Sequence, residues 1–288
     1  MQFKTNRKEK EDKPMTSKHA SHNSGIQALS SETVAISHLV IPEFEASPRW
    51  VRAVLGGVTI ADSKRAMILR RAKRLPVYYF PKEDVRIDLM EMTLHNTEAV
   101  PQGETSFWNI RVGETIAEKA AWSYLNPPDE WEMIKDYIAL EWGKIDSWYE
   151  EEEEVFVHLR DSYHRVDVLD SSRHVRVIVA GETVAETQNP KLLFETGFPA
   201  RYYFPREDVR MDLLESSTLK TRCPYKGIAS YWSVKVGDQI IKNIVWGYPN
   251  PVLECPKVKD LFCFYNERVE AIYVDGELAP KPNTPWSS

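Results

Sequence analysis

Tyr202-Tyr203-Phe204-Pro205-Arg206-Glu207-Asp208-Val209-Arg210-Met211-Asp212-Leu213-Leu214 is the stretch on which the fold turns, because the chain carries it twice. Tyr78-Tyr79-Phe80-Pro81-Lys82-Glu83-Asp84-Val85-Arg86-Ile87-Asp88-Leu89-Met90 matches it at 10 of 13 positions, at an offset of 202 − 78 = 124. The same offset pairs Arg52 with Arg176, Gly57 with Gly181, Thr97 with Thr221, Gly103 with Gly227, Trp108 with Trp232, Trp122 with Trp246 and Tyr124 with Tyr248. A fixed offset over this length, without a gap, predicts two copies of one domain in tandem. The boundaries read as a disordered tail over 1–46, a first domain over 47–147, an acidic and His/Arg-rich link over 148–172, a second domain over 173–277 and a short tail over 278–288.

Each copy reads as mainly β, a small curled antiparallel sheet or open barrel with short helical turns. His174–Val179 alternates, Ala180-Gly181-Glu182 turns and Thr183–Glu186 returns, which is a hairpin pattern. Ser230–Val236 and Ile240–Trp246 flank Gly237-Asp238 as a second hairpin, and Leu261–Asn266 with Val269–Val274 reads as a third, turned by Glu267-Arg268. Asn189-Pro190 supplies an N-cap and a proline at the first helical position, so Lys191–Thr196 is expected to be a short helix.

Composition narrows the function classes. The 288 residues are 42% hydrophobic, enough for a sizeable core, and carry a net charge of −6. That charge argues against a general nucleic-acid surface while leaving room for a local basic pocket. No apolar run reaches the about 18 residues of a membrane helix, and the charged opening Met1–Pro14 has neither a secretory core nor the acid-poor, Arg-rich pattern of a mitochondrial leader, so a cytoplasmic protein is expected. The three cysteines, Cys223, Cys255 and Cys263, are an odd number without a C-x-x-C pair, which speaks against a disulfide framework or a four-cysteine zinc site. His158 and His164 lack a cysteine or carboxylate at ligand spacing, so no metal site is expected. Composition and motifs name no cofactor and no oligomeric state.

Several motifs of the second copy resemble a known family. The pattern T-x-C-P-Y-K-G-x-A-x-Y-W-S over Thr221–Ser233, E-T-x-x-P-x-R-Y-Y over Glu195–Tyr203, W-x-Y-P-x-P over Trp246–Pro251 and Phe264-Tyr265-Asn266-Glu267-Arg268 followed by Val274-Asp275-Gly276 resemble the domain of unknown function 427 family, in a tandem two-domain form. The resemblance implies a β-tent-like fold, distantly related to zinc-binding and methionine-sulfoxide-reductase-type modules, and carries a nucleotidyltransferase-like label. The zinc-ligand pairs of those relatives are missing here, and so is a glycine-rich phosphate loop.

Duplication separates scaffold from site. Features kept by both copies, such as the Tyr-Tyr-Phe-Pro segment, the Trp pairs and the turn glycines, are what a small β core needs. Polar residues found only in the second copy are the site candidates: Glu195 stands opposite Arg71, Arg201 opposite Val77, Cys223 opposite Ala99, Tyr225 opposite Pro101 and Lys226 opposite Gln102. Arg201 and Lys226 can clamp a carboxylate or phosphate, the first as a bidentate fork and the second as a point charge, or can ion-pair with Glu195. Cys223 is a candidate nucleophile with Lys226 favouring its thiolate, or else a small buried apolar group. Tyr203, Tyr225 and Trp246 can wall a ligand, and His174 beside Arg173 and Arg176 suits anion or proton work. The expectation is a small-molecule site, for an anionic or nucleotide-like ligand, in the C-terminal copy. A thiol-dependent enzyme using Cys223 and a non-catalytic interaction module remain alternatives.

Overall fold

In the computed structural model, residues 43–71, 74–93, 98–100 and 103–287 are described. The tail expected over 1–46 falls outside them as far as residue 42, and so do Thr97, Pro101 and Gln102. The fold is mainly β, in two tandem domains, each built from a large and a small antiparallel sheet enclosing one core.

The second domain's large sheet runs Val166–Asp170, Lys191–Glu195, Arg201–Phe204, Phe262–Phe264, Gln239–Gly247, Gly227–Val236 and Leu214–Cys223 from edge to edge. Its small sheet runs Glu182–Thr187, Val175–Val179, Ala271–Val274 and Glu277–Leu278. Alternation explains how the two enclose a core: Val175, Val177 and Val179 are buried while Arg176 and Ile178 are half-exposed, as a period of two requires when one face is covered. These valines and Ile272 meet Phe204, Val234, Ile244 and Phe264 of the large sheet. The first domain repeats the plan, with Val51, Ala53 and Leu55 buried against Phe80, Ile110 and Ile138.

Four expectations from the sequence need correction. Lys191–Glu195 is a strand, not a helix, paired with Val166–Asp170 on one side and Arg201–Phe204 on the other. Leu192 and Leu193 point to opposite faces and both are buried, which a single helical turn at the surface cannot arrange; tertiary burial overrides the Asn-Pro start signal. Phe262–Phe264 and Ala271–Val274 do not pair with each other, because the first joins the large sheet and the second the small one. The N-terminal tail ends earlier, since Phe44–Ala46 pairs with Met67–Leu69. The acidic run Trp148–Glu154 belongs to the first domain: Ser147–Glu150 pairs with Val51–Leu55, and Glu153–Val155 covers its other edge. The true link is thus 156–165. Like charges along Glu151–Glu154 stay exposed at the turn of this hairpin, where water solvates them.

The link is fastened to both domains. Leu159 is buried in the first core, Arg70 Nε contacts Asp161 Oδ1 at 3.0 Å and Arg49 donates to the Arg160 carbonyl at 2.6 Å. On the other side the Asp161 amide donates to the Tyr225 hydroxyl at 2.8 Å.

Candidate functional site

The turn Cys223-Pro224-Tyr225-Lys226-Gly227 closes the hairpin between Leu214–Cys223 and Gly227–Val236. Gly227 has φ of +103°, and a Cβ there would lie 3.1 Å from the Asn250 carbonyl; Gly103 repeats this at +109° and 2.8 Å from the Asn126 carbonyl. Both copies therefore need glycine where the turn presses against the proline-rich loop, and the Lys226 carbonyl accepts from the Val252 amide at 3.2 Å. This contact anchors the Lys226 main chain.

Lys226 Nζ reaches Glu195 Oε2 at 2.5 Å, and His164 Nε2 meets Glu195 Oε1 at 3.1 Å. The register explains the convergence. Val166 pairs with Glu195 across the sheet edge, so the end of the link runs past the Glu195 side chain. Burial pushes the Glu195 carboxyl upward, but the His164 hydrogen bond and the Lys226 ammonium outweigh it and hold the group below its usual value. The His164 ring stacks on Tyr225 at 4.2 Å and 20°. Burial, above all, pushes the Tyr225 phenol up to about 12, which keeps it a neutral hydroxyl.

Arg201 forms the second ion pair. Its guanidinium grips Glu267 with two bonds of 2.7 and 2.6 Å, and both residues are buried. Burial opposes both charges, yet the Arg201 fork and the Thr284 hydroxyl, 2.6 Å from Glu267 Oε1, hold the carboxyl below its usual value. Trp246, Trp286 and Tyr265 surround the guanidinium at 5.5, 5.8 and 6.0 Å, within cation–π reach. Of the ion pairs with Glu195 open to both cations, Lys226 makes its own, joined by His164, whereas Arg201 takes Glu267.

Glu195, Lys226, His164, Tyr225 and Arg201 line one cleft of about 840 Å³, which also holds Cys223, Tyr203 and Trp246, while Glu267 lies behind Arg201 and is not part of the lining. Tyr203 is buried, and its hydroxyl accepts from Trp246 Nε1 at 3.3 Å; Tyr79 and Trp122 repeat the contact at 3.0 Å, which marks this wall as shared scaffold. Cys223 is half-buried, whereas burial pushes the Cys255 thiol up to about 11 and the Cys263 thiol higher still. His174 and Arg176 are not brought to the cleft. His174 bonds Glu186 at 2.7 Å and Arg176 lies over Tyr273 at 5.0 Å, both on the small sheet. Trp50 and Asp62, at the same repeat positions, bond at 2.6 Å, so His174 serves the scaffold there. Among the described residues no group of three His, Cys, Asp or Glu side chains is placed to hold a metal ion.

Sequence reasoning missed Glu267, Tyr265 and Trp286 as site residues, and it weighed His164 only as a metal ligand. The repeat offset held a signal for two of them: Glu267 falls on Gly143 and Tyr265 on Glu141. It held another at the rim of the cleft. Arg222 and Lys242 line it, and their first-copy counterparts are Glu98 and Glu118, a reversal of charge at both positions. Where Arg201 stands, the first copy has Val77, packed in an apolar cluster with Tyr79 and Phe44. The first domain also reaches the cleft through Arg74, Leu75 and Pro76.

No curated protein matches the chain. The profile of the family described as a domain of unknown function (DUF427) matches residues 43–151 and again 167–275, one match on each structural domain. With both domains covered, the chain belongs to the DUF427 family as a tandem two-domain member.

Proposed function

We propose that the second domain binds a small anionic molecule in this cleft. The supporting observation is its charge. Arg74, Arg222, Lys242 and Arg268 line it, and among the described residues none of the four has a carboxylate within ion-pair distance. In a chain of net charge −6, four such cations around one concavity give a local field that favours an anion. Arg201 and Lys226 are already neutralised by Glu267 and Glu195, so they position the walls, while the rim cations supply the attraction. The neutral Tyr225 hydroxyl and the Tyr203, Trp246 and Tyr265 rings offer apolar area with few polar atoms, as small-molecule sites do.

The test is tryptophan fluorescence, since Trp246 and Trp286 line the cleft. Titration with nucleoside monophosphates and dicarboxylates should quench the wild-type protein saturably. The paired Arg222→Glu and Lys242→Glu substitutions, which install the first-copy residues, should remove the response. An unchanged response in that variant contradicts the proposal.

A further inference from the structure

At the mouth of the cleft, two large rings are left in solvent. Phe198 is 39% exposed and Trp286 is 40% exposed, and they stack on each other at 5.5 Å and 29°. Phe198 sits in the turn between Lys191–Glu195 and Arg201–Phe204, whereas Trp286 arrives from the segment after Glu277–Leu278. That segment lies beyond the repeat. The Thr284 amide donates to Ser287 Oγ at 2.9 Å, and the Ser287 amide donates back to the Thr284 carbonyl at 3.1 Å, making a small turn that presents the indole. The Thr284 hydroxyl, bonded to Glu267, ties this turn to the cleft.

The indole occupies a slot with a definite chemistry. Phe198 gives it one ring face, Tyr265 lies 6.4 Å away on another side, and the Arg201 guanidinium is 5.8 Å from its centre. A planar ring gains from each of these neighbours, by stacking on one side and by cation–π attraction on another. A cation with no carboxylate partner among the described residues stands close by: Arg268 lies 5.3 Å from the Tyr265 ring and donates to the Lys242 carbonyl at 2.8 Å.

We propose that this slot is a subsite for a planar aromatic ring, that Trp286 fills it as an internal placeholder, and that the ligand is an aromatic anion which displaces the indole. This rests on the reading of the cleft as an anion site and adds the ring. The carboxylate, sulfonate or phosphate of such a ligand would lie toward Arg268 and Lys242, and its ring would take the place of the indole between Phe198 and Tyr265. Displacement needs no core to open, because Trp286 is already 40% exposed.

Isothermal titration with naphthalene-2-sulfonate and with methanesulfonate separates ring from charge. The full chain, Trp286→Ala and Thr284→Val are compared; the second variant releases the turn from Glu267 without removing the indole. Naphthalene-2-sulfonate should bind wild type more tightly than methanesulfonate does. Trp286→Ala should bind it roughly two- to ten-fold more tightly still, the gain expected from no longer displacing one ring stack, and Thr284→Val, which keeps the indole on a loosened turn, should gain by a smaller factor. Methanesulfonate should not distinguish the three proteins. If the two sulfonates bind wild type equally, or if Trp286→Ala leaves the naphthalene affinity unchanged or weaker, the ring subsite is overturned while the anion site stands. If neither sulfonate binds any of the three, both readings fall.

Discussion

Replacing Glu267 by glutamine asks what holds the cleft open. The substitution keeps the shape and removes the charge opposite Arg201, whose side chain is 7% exposed against 0% for Glu267. A buried guanidinium left without its counter-charge costs about 3–5 kcal/mol. For a urea slope of about 2 kcal/mol/M, the unfolding midpoint should fall by roughly 1.5–2.5 M. The first domain shows that the fold does not require the pair, because Val77 and Gly143 stand at these positions. The double variant Arg201→Met with Glu267→Gln should therefore recover at least about half of the loss, since it no longer buries a lone charge. Urea titrations followed by tryptophan fluorescence give all four corners of the cycle. A loss below about 1 kcal/mol for Glu267→Gln, or single effects that add to the double within about 0.5 kcal/mol, would refute the reasoning.

Other outcomes follow from the same geometry. Iodoacetamide at pH 8 should modify Cys223 first in peptide maps, with Cys255 and Cys263 protected until the protein is unfolded, since burial raises both of their thiols; equal labelling of Cys255 would contradict this. Glu195 and Glu267 both titrate below their unfolded values, so their stabilisation is complete above about pH 4.3 and is lost as the pH falls through the lower folded values. The urea midpoint should decline on acidification, and Glu195→Gln should flatten that decline. Gly227→Ala and Gly103→Ala should each destabilise by about 1–3 kcal/mol in the same titrations, with Gly103 the more sensitive because its added Cβ meets a carbonyl at 2.8 Å rather than 3.1 Å.

Much of the architecture was legible because the chain states it twice. The fixed offset required two like domains, and alternation at Val175–Val179 and Val51–Leu55 required sheets with one covered face. Glu195, Arg201, Cys223, Tyr225 and Lys226, chosen because the first copy lacks them, line one cleft. Their partners were harder to read. Arg201 and Glu267 lie 66 residues apart, and nothing local says that Arg201–Phe204 and Phe262–Phe264 become neighbours in one sheet. Lys191–Glu195 carried a sound helix-start signal that lost to pairing on both of its edges. His174 looked poised beside two arginines, but it leads into Val175–Val179 of the other sheet, where Glu186 claims it. Trp286 had no counterpart to be compared with, so the repeat could not point to it.

The central claim is that the second domain, and not the first, holds a small anion. Native mass spectrometry of freshly purified protein tests it most directly. The expected result is an adduct of small-molecule mass on the wild-type chain that disappears when Arg222 and Lys242 are replaced by glutamate. An adduct that survives this charge reversal, or a wild-type chain that carries none and takes up none from a cell extract, would contradict the account.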